Sequence, residues 1–316
     1  PPATPRSPIQ PAPSLRAELE RFARAAARAA ASIPFDAIHA HDWPTVPAAL
    51  RIARASGRPF LFHVHSTEFD RNPCAPDPEL VELEARALRS ADHVVTVSRR
   101  SADELLARYD LDPAKLTVIH NGVESLRAAS TSGPRPLRAT SPIVLFLARL
   151  TEQKDPATFL EAAALVHGTR PDVRFIVAGD GPLREEMEHL SEELGLQRTV
   201  HFTGHLCAAD ADRAFAVADL YVLPSAAEPF GISALEAMCQ DTPALVSRGS
   251  GVTEVLPEAL TFDPGSSEDL ANRILSILSR PELHRDLSER GGRRARTLRW
   301  HVRAQSLLAL LEDLVP

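Results

Sequence analysis

The sequence predicts an α/β protein built from two doubly wound domains, and three observations predict it. Short apolar runs alternate with helical patterns along most of the chain, and strands separated by helices pair in parallel because a parallel connection needs a crossover. One stretch rich in Ser, Thr, Gly, Pro and Arg, Ser125–Ser141, breaks that alternation and reads as a linker. The 316 residues, 44% hydrophobic and 24% charged, suit two soluble domains better than one.

Taken in order, Pro1–Ser14 is proline-rich and expected to be irregular. Leu15–Ala30 places Leu15, Leu19, Phe22 and Ala26 on one face and Arg21, Arg24 and Arg28 on another, the period of an amphipathic helix. Arginine-rich helices can lie on anionic membranes, but such a face is ordinarily a solvated one, so peripheral membrane contact is not predicted. Ala37–His41, Phe60–His65 and His93–Val97 read as strands, each followed by a helical pattern, and Leu116–Ile119 reads as a fourth ending at the turn His120-Asn121-Gly122. Beyond the linker, strands are expected at Ile143–Ala148, Val173–Ala178, Val200–Phe202, Leu220–Leu223 and Ala244–Val246. Helices are expected around Ala157–Val166, Leu183–Leu194, Asp210–Ala218 and Ile232–Cys239, and a last one from Arg299 to Leu314 has a leucine-rich face that can cross back to the first domain. The division is then a partial first domain at 1–124, a linker at 125–141, a second domain at 142–296 and a returning helix at 297–316. A doubly wound domain usually carries five or six strands. With about four, the first is expected to lack its opening strands.

Composition narrows the function. A formal charge of −7 with no sustained basic run argues against nucleic acid, whose backbone needs clustered cations. Cys74, Cys207 and Cys239 are odd in number, far apart and without CxxC spacing, which predicts reduced, buried thiols in the cytoplasm and no cysteine zinc site. No apolar run approaches the ~18 residues that would span a bilayer. Lys115 and Lys154 are the only two lysines against 33 arginines, so each invites a reason.

The most informative stretch is Glu228-Pro229-Phe230-Gly231-Ile232-Ser233-Ala234-Leu235-Glu236, directly after the apolar run Leu220–Leu223. A strand that turns into a helix near Gly231 points the free N–H groups of the helix's first turn above the sheet edge, where anions bind. Carboxylates repel a phosphate, so Glu228 and Glu236 are expected to accept bonds from hydroxyls. Together these features suit a sugar attached to a phosphate. After Ile143–Ala148, Arg149 and Lys154 flank a strand's carboxyl end, with Asp155 suited to cap the next helix and Pro156 to open it. Two fixed cations there can stabilise a diphosphate leaving group without a metal. Gly179-Asp180-Gly181-Pro182 also follows a strand but lacks the third glycine of the dinucleotide fingerprint, so NAD is not predicted. Its glycines are expected to let the backbone approach a ligand, with an ordinary tight turn as the alternative. Base contacts are expected near Gly204-His205-Leu206.

Asp110/Asp112 and Asp210/Asp212 form Asp-x-Asp triplets, read as helix caps rather than metal ligands. His39-Ala40-His41 and His63-Val64-His65 place histidines at alternate strand positions, a spacing that can chelate a metal. No third ligand is evident along the sequence, so no metal is assigned. His39 and His63 read as buried, satisfied histidines, and His65, at its strand's end, is the functional candidate.

These residues resemble the nucleotide-sugar glycosyltransferases of the GT-B fold, retaining family 4, close to glycogen and starch synthases. The resemblance rests on His39–Trp43, His65–Arg71, Val97-Ser98, His120–Val123, Arg149–Lys154, Gly179–Pro182, the two glutamates Glu228 and Glu236, and Ser250–Leu256. It implies two Rossmann-like domains facing across a crevice. Arg149 and Lys154 would hold the donor diphosphate, Glu236 the ribose, and Glu228 the donor sugar with the backbone at Phe230, Gly231 and Ile232. His65 would reach the sugar from the first domain, and the last helix would pack back on that domain. The resemblance also implies an opening strand and a Gly-rich loop, and nothing before Leu15 has either pattern. Asp155 and Asp241 stand where the family usually has glycine, and aspartate tolerates left-handed backbone. Asn72-Pro73-Cys74 replaces an expected glycine-containing form.

The implied activity is transfer of a hexose from an ADP-, UDP- or GDP-sugar to a glycan or other hydroxyl acceptor, without metal or cofactor. No second carboxylate is evident as a nucleophile, so same-face attack with retention is expected. The alternative is a truncated or decayed module that binds nucleotide sugars and transfers nothing.

Overall fold

The computed structural model describes residues 15–124 and 141–315. Pro1–Ser14 and the predicted linker, apart from Ser141, lie outside the described residues. The chain opens with α1 (Leu15–Ala30), which packs on α2 (Asp42–Ser56). Its buried side is centred on Ala23 rather than on the expected face, and Leu15 and Phe22 stay about half exposed. Small alanines let the two helices approach closely, and an Arg51–Glu20 pair at 3.1 Å links them at the surface.

The first sheet is parallel, in the order β1 (Ile38–His41), β2 (Phe60–Val64), β3 (His93–Thr96), β4 (Leu116–Val118). Between its strands run α2, α3 (Glu68–Arg71), α4 (Pro78–Ser90) and α5 (Arg99–Arg108). Every residue of β2 is buried, as expected of a strand covered on both faces.

The second sheet has six parallel strands in the order β10-β9-β8-β5-β6-β7. They are β5 (Ile143–Leu147), β6 (Arg174–Ala178), β7 (Val200–Gly204), β8 (Leu220–Leu223), β9 (Ala244–Ser247) and β10 (Leu260–Phe262). The helices are α6 (Pro156–Thr169), α7 (Arg184–Glu193), α8 (Ala208–Val217), α9 (Ile232–Cys239), α10 (Ser267–Leu278) and α11 (Pro281–Ala295). The sequence reading missed β10, α10 and α11. β10 is three residues long, too short for a period. α10 did carry a signal, since Leu270, Ile274, Ile277 and Leu278 repeat at helical spacing and are buried.

Leu145 and Phe146 of β5 are fully buried and face two separate cores, one above and one below the sheet. Strand order reverses between β5 and β8, which opens a crevice at their carboxyl ends. The last helix, α12 (Trp300–Leu314), returns to the first sheet, where Leu307, Leu310, Leu311 and Leu314 pack on Leu61, Val95 and Ile119.

Candidate active site

The crevice between β5 and β8 is closed at its base by hydrogen bonds between the loops that leave those strands. The Gln153 side chain donates to the Ala227 carbonyl at 3.1 Å, and Ala226 N–H donates to the Gln153 carbonyl at 3.0 Å. These bonds bring Lys154 Nζ to 2.6 Å from Glu228 Oε2, which also accepts from Ser225 Oγ at 2.9 Å. Glu228 is 7% exposed, and a carboxylate so desolvated needs a charged partner. Asp155, at φ 48°, takes the left-handed turn expected of it and caps α6 by accepting from Thr158 N–H at 3.2 Å. Asp241 is likewise left-handed, at φ 60°.

Arg149, at the start of the same loop, is exposed and makes no side-chain hydrogen bond to another described residue. Gly231 (φ 102°) turns the chain into α9, whose first N–H groups at Ile232 and Ser233 have no partner within the helix. Phe230 is buried, and its carbonyl is held by Val252 N–H at 2.7 Å and Ser250 Oγ at 3.1 Å. Glu236, half-buried on the same helix, has no hydrogen-bond partner among the described residues. Burial, then the charge of Asp212, raises its pKa. An unpartnered carboxyl of this kind can accept from a hydroxyl.

Gly179, Gly181 and Gly204 follow β6 and β7 at the same sheet edge, and Gly179 N–H donates to the Gly204 carbonyl at 2.9 Å. The sequence reading had the glycines of 179–182 approach a ligand. The approach they make here is to the neighbouring loop: a Cβ on Gly179 would lie 1.9 Å from the Ala148 carbonyl oxygen, and one on Gly181 2.3 Å from that of Leu150. They set the height of the Arg149 loop. His205 is exposed just beyond Gly204.

In the first domain, the parallel register puts His41 opposite His63, so the two His-x-His pairs stand side by side on one face. His39 Nε2 lies 3.2 Å from His63 Nδ1, and His41 Nδ1 lies 2.9 Å from His65 Nε2. Burial is the first cause lowering all four pKa values. Neighbouring imidazoles add to it, taking His39 to about 4 and His63 to about 2, while Asp42 opposes the shift at His41 and His65. The rings are therefore neutral at pH 7. His63 is buried but not satisfied, since its Nε2 has no partner, which corrects the reading of it as an ordinary core histidine.

Asp42, at φ 53°, accepts from the His65 and Ser66 N–H groups at 2.7 and 3.3 Å and so fixes the strand end that carries His65. Sequence reasoning passed over Asp42, whose place after His41 was the available signal. Downstream, a Thr67/Asp70 capping box starts α3, and Arg71 reaches Glu84 at 2.6 Å. Burial raises the Glu84 pKa against the bonds from Tyr109 and Arg71. This network holds α3 beside the Glu152–Lys154 turn, which carries the His65 segment toward the crevice.

Further contacts join the two domains. Ser98 Oγ donates to the Pro229 carbonyl at 2.6 Å, beneath Gly251. Glu254 accepts from Arg99 N–H (2.9 Å) and Arg100 N–H (3.0 Å) at the start of α5 and lies 2.8 Å from His120 Nε2. Burial alone would raise the Glu254 pKa, but these bonds outweigh it and lower it. Of the Asp-x-Asp residues read as caps, Asp112 caps the short turn at Pro113. Asp210 instead lies inside the first turn of α8, whose cap position is Cys207.

With this geometry in place, comparison with known proteins is decisive for the family. Residues 131–294 match the family described as Glycosyl transferases group 1, and residues 2–127 match Glycosyltransferase Family 4. The chain belongs to the glycosyl transferases group 1 family. An uncharacterized glycosyltransferase of Methanocaldococcus jannaschii is 29% identical over 237 residues, covering 70% of this chain and 60% of that protein. The glycogen synthase of Mycobacterium tuberculosis is 28% identical over 253 residues, covering 78% of this chain and 61% of that protein. The chain thus spans about three fifths of the length of these relatives. Sucrose-phosphate synthase from Thermosynechococcus elongatus superposes with a TM-score of 0.81 at 24% identity, covering 97% of this chain and 80% of that one. Anabaena HepE, solved with UDP and glucose, gives 0.79 at 20% identity, covering 97% and 84%. The fold is that of GT-B glycosyltransferases. Among the described residues no helix is long and apolar enough to cross a membrane.

Proposed function

We propose that the chain moves a hexose from a nucleoside diphosphate sugar to a hydroxyl acceptor with retained anomeric configuration and without a metal in the donor site. The observation that carries this reading is the Lys154–Glu228 pair, 2.6 Å apart at the strand-order switch and beside the start of α9. One cation of the pair is suited to a phosphate, one carboxylate to a sugar hydroxyl, and the helix start to the same anion. Lys154 turns from Glu228 toward the diphosphate when donor binds. Arg149 takes the other phosphate oxygens, Glu236 the ribose hydroxyls, and Glu228 the sugar together with the Phe230–Ile232 backbone. Gly179, Gly181, Gly204 and His205 line the base end, and His65 approaches the sugar from the first domain. That Anabaena HepE was solved with UDP and with UDP-glucose supports a nucleoside diphosphate sugar as donor class.

In the reaction, the bond from the anomeric carbon to the phosphate oxygen breaks and one to the acceptor oxygen forms on the same face. The acceptor's proton passes to the departing phosphate. Charge developing on that phosphate meets Arg149, Lys154 and the α9 N–H groups, so stabilisation grows as the bond breaks. No cofactor is needed. Incubation with ADP-, UDP- or GDP-glucose and a hydroxyl acceptor in EDTA, followed by proton NMR of the product's anomeric coupling, tests it. Retained configuration with released nucleoside diphosphate is expected. An inverted product overturns the same-face step, and donor binding without release favours a binding module.

A further inference from the structure

The proposed transfer uses only one of the four histidines in the two His-x-His pairs. We propose that the other three, His39, His41 and His63, form a binding site for a divalent transition-metal cation of the zinc class. The cluster lies on the first sheet, outside the β5–β8 crevice, and touches the proposed sugar site only through the His41–His65 contact.

Four observations converge on it. One nitrogen from each of the three rings lies within 4.8 Å of the others, brought together by the β1–β2 register rather than by spacing along the chain. Two nitrogens on one tetrahedral zinc are roughly 3.4 Å apart, so ring rotations of order 1 Å close the set. The ligands are all imidazole, a donor set that suits zinc, copper or nickel and not the oxygen-seeking calcium or magnesium. The nearest carboxylate, Asp42, is engaged through Oδ1 with the backbone at His65 and Ser66.

His63 is 8% exposed, yet its Nε2 has no hydrogen-bond partner. A buried polar atom left so costs about 1–3 kcal/mol and asks for a partner. An ion bound through Nε2 supplies one once the 3.2 Å His39–His63 contact is released, since two neutral rings that keep that bond cannot both offer a lone pair. Access is open, because His41 is exposed and His39 half-buried, so an ion enters from solvent and meets the buried ring last. Coordination of His41 through Nε2 is the mode compatible with its 2.9 Å contact to His65. In that mode His41 Nδ1–H must donate to His65 Nε2, which sets the tautomer of His65. Three protein ligands leave the fourth position to water.

The test uses Co²⁺ as probe on the full chain after treatment with a chelator and dialysis. One equivalent should produce the visible absorption of nitrogen-ligated cobalt and should be displaced by Zn²⁺. His39→Gln and His63→Gln should each weaken binding at least tenfold, while exposed His189→Gln should leave it unchanged. His39 is half-exposed, so its variant tests the site even where His63→Gln does not fold. Absence of the band in the wild-type chain overturns the proposal, as does a band that persists in the His39 variant. An intense near-ultraviolet thiolate band overturns it too, by pointing to the exposed Cys74 or Cys207. None of these outcomes bears on the donor site, which is read by nucleotide binding.

Discussion

In the second sheet Lys154 and Glu228 sit on loops that leave the carboxyl ends of β5 and β8, whereas in the first sheet His39, His41 and His63 sit within β1 and β2 themselves. The difference shows in how each cluster is held. Lys154 and Glu228 are joined because two loops are tied by Gln153, and a loop can exchange that pairing for a ligand. His39, His41 and His63 are joined by strand register, which moves only if the sheet does. The first arrangement is built to open and close around a substrate, and the second to hold fixed distances.

The strongest way to break this comparison is Lys154→Ala. Removing the one lysine of the crevice should cut turnover by at least ~100-fold and leave the Co²⁺ spectrum of the histidine cluster unchanged. Near-normal turnover, measured as nucleoside diphosphate release, would remove Lys154 from the phosphate site. Next comes Gly179→Ala, whose Cβ would sit 1.9 Å from the Ala148 carbonyl at a backbone φ of 136°. Forcing atoms into packed backbone costs about 1–3 kcal/mol, read as a lower urea midpoint with nucleotide affinity falling alongside it. Loss of stability with intact affinity would mean that the glycines do not set the Arg149 loop.

How much could be read from the sequence follows the same division. Arg149–Lys154 and Glu228–Glu236 are contiguous motifs just past apolar runs, so their residues and place at the sheet edge were legible, as were Asp155 and Asp241 in left-handed backbone. The contact between Lys154 and Glu228 was not, because it depends on β5 and β8 being neighbours although they are far apart in the chain. The third histidine ligand was hidden for the same reason: spacing within a strand cannot show which residue lies opposite on the next. Ser98, Gly251 and Glu254 belong to motifs that were visible, yet their role in joining the domains appears only once Pro229 and α5 are placed. α1 was placed correctly, but with its buried side misjudged, since Ala23 rather than Phe22 meets α2.

Two smaller effects sharpen the comparison. If His65 gives the sugar one hydrogen bond as proposed, worth ~0.5–1.5 kcal/mol, His65→Ala should lower kcat/KM by about two- to tenfold, less than for Lys154. An equal loss would place the first domain's contribution on a par with the phosphate site. Glu254→Gln should act on the joint alone. Glu254's carboxyl is held below its ordinary value, so the stability it contributes is present above the unfolded pKa of ~4.3. That stability is lost as pH falls through the lower folded value. The variant should therefore show a shallower loss of melting temperature below about pH 4, and an unchanged acid limb would take the Arg99, His120 and Arg100 bonds out of the account.

The most direct measurement is calorimetric titration of the chain with ADP, UDP and GDP, alongside an Arg149→Ala/Lys154→Ala double variant. The account predicts that one nucleotide binds the wild-type chain and that the folded double variant loses it. Undiminished binding by the variant, or no binding of any of the three to a folded wild-type chain, would contradict the assignment of the β5–β8 crevice as the donor site.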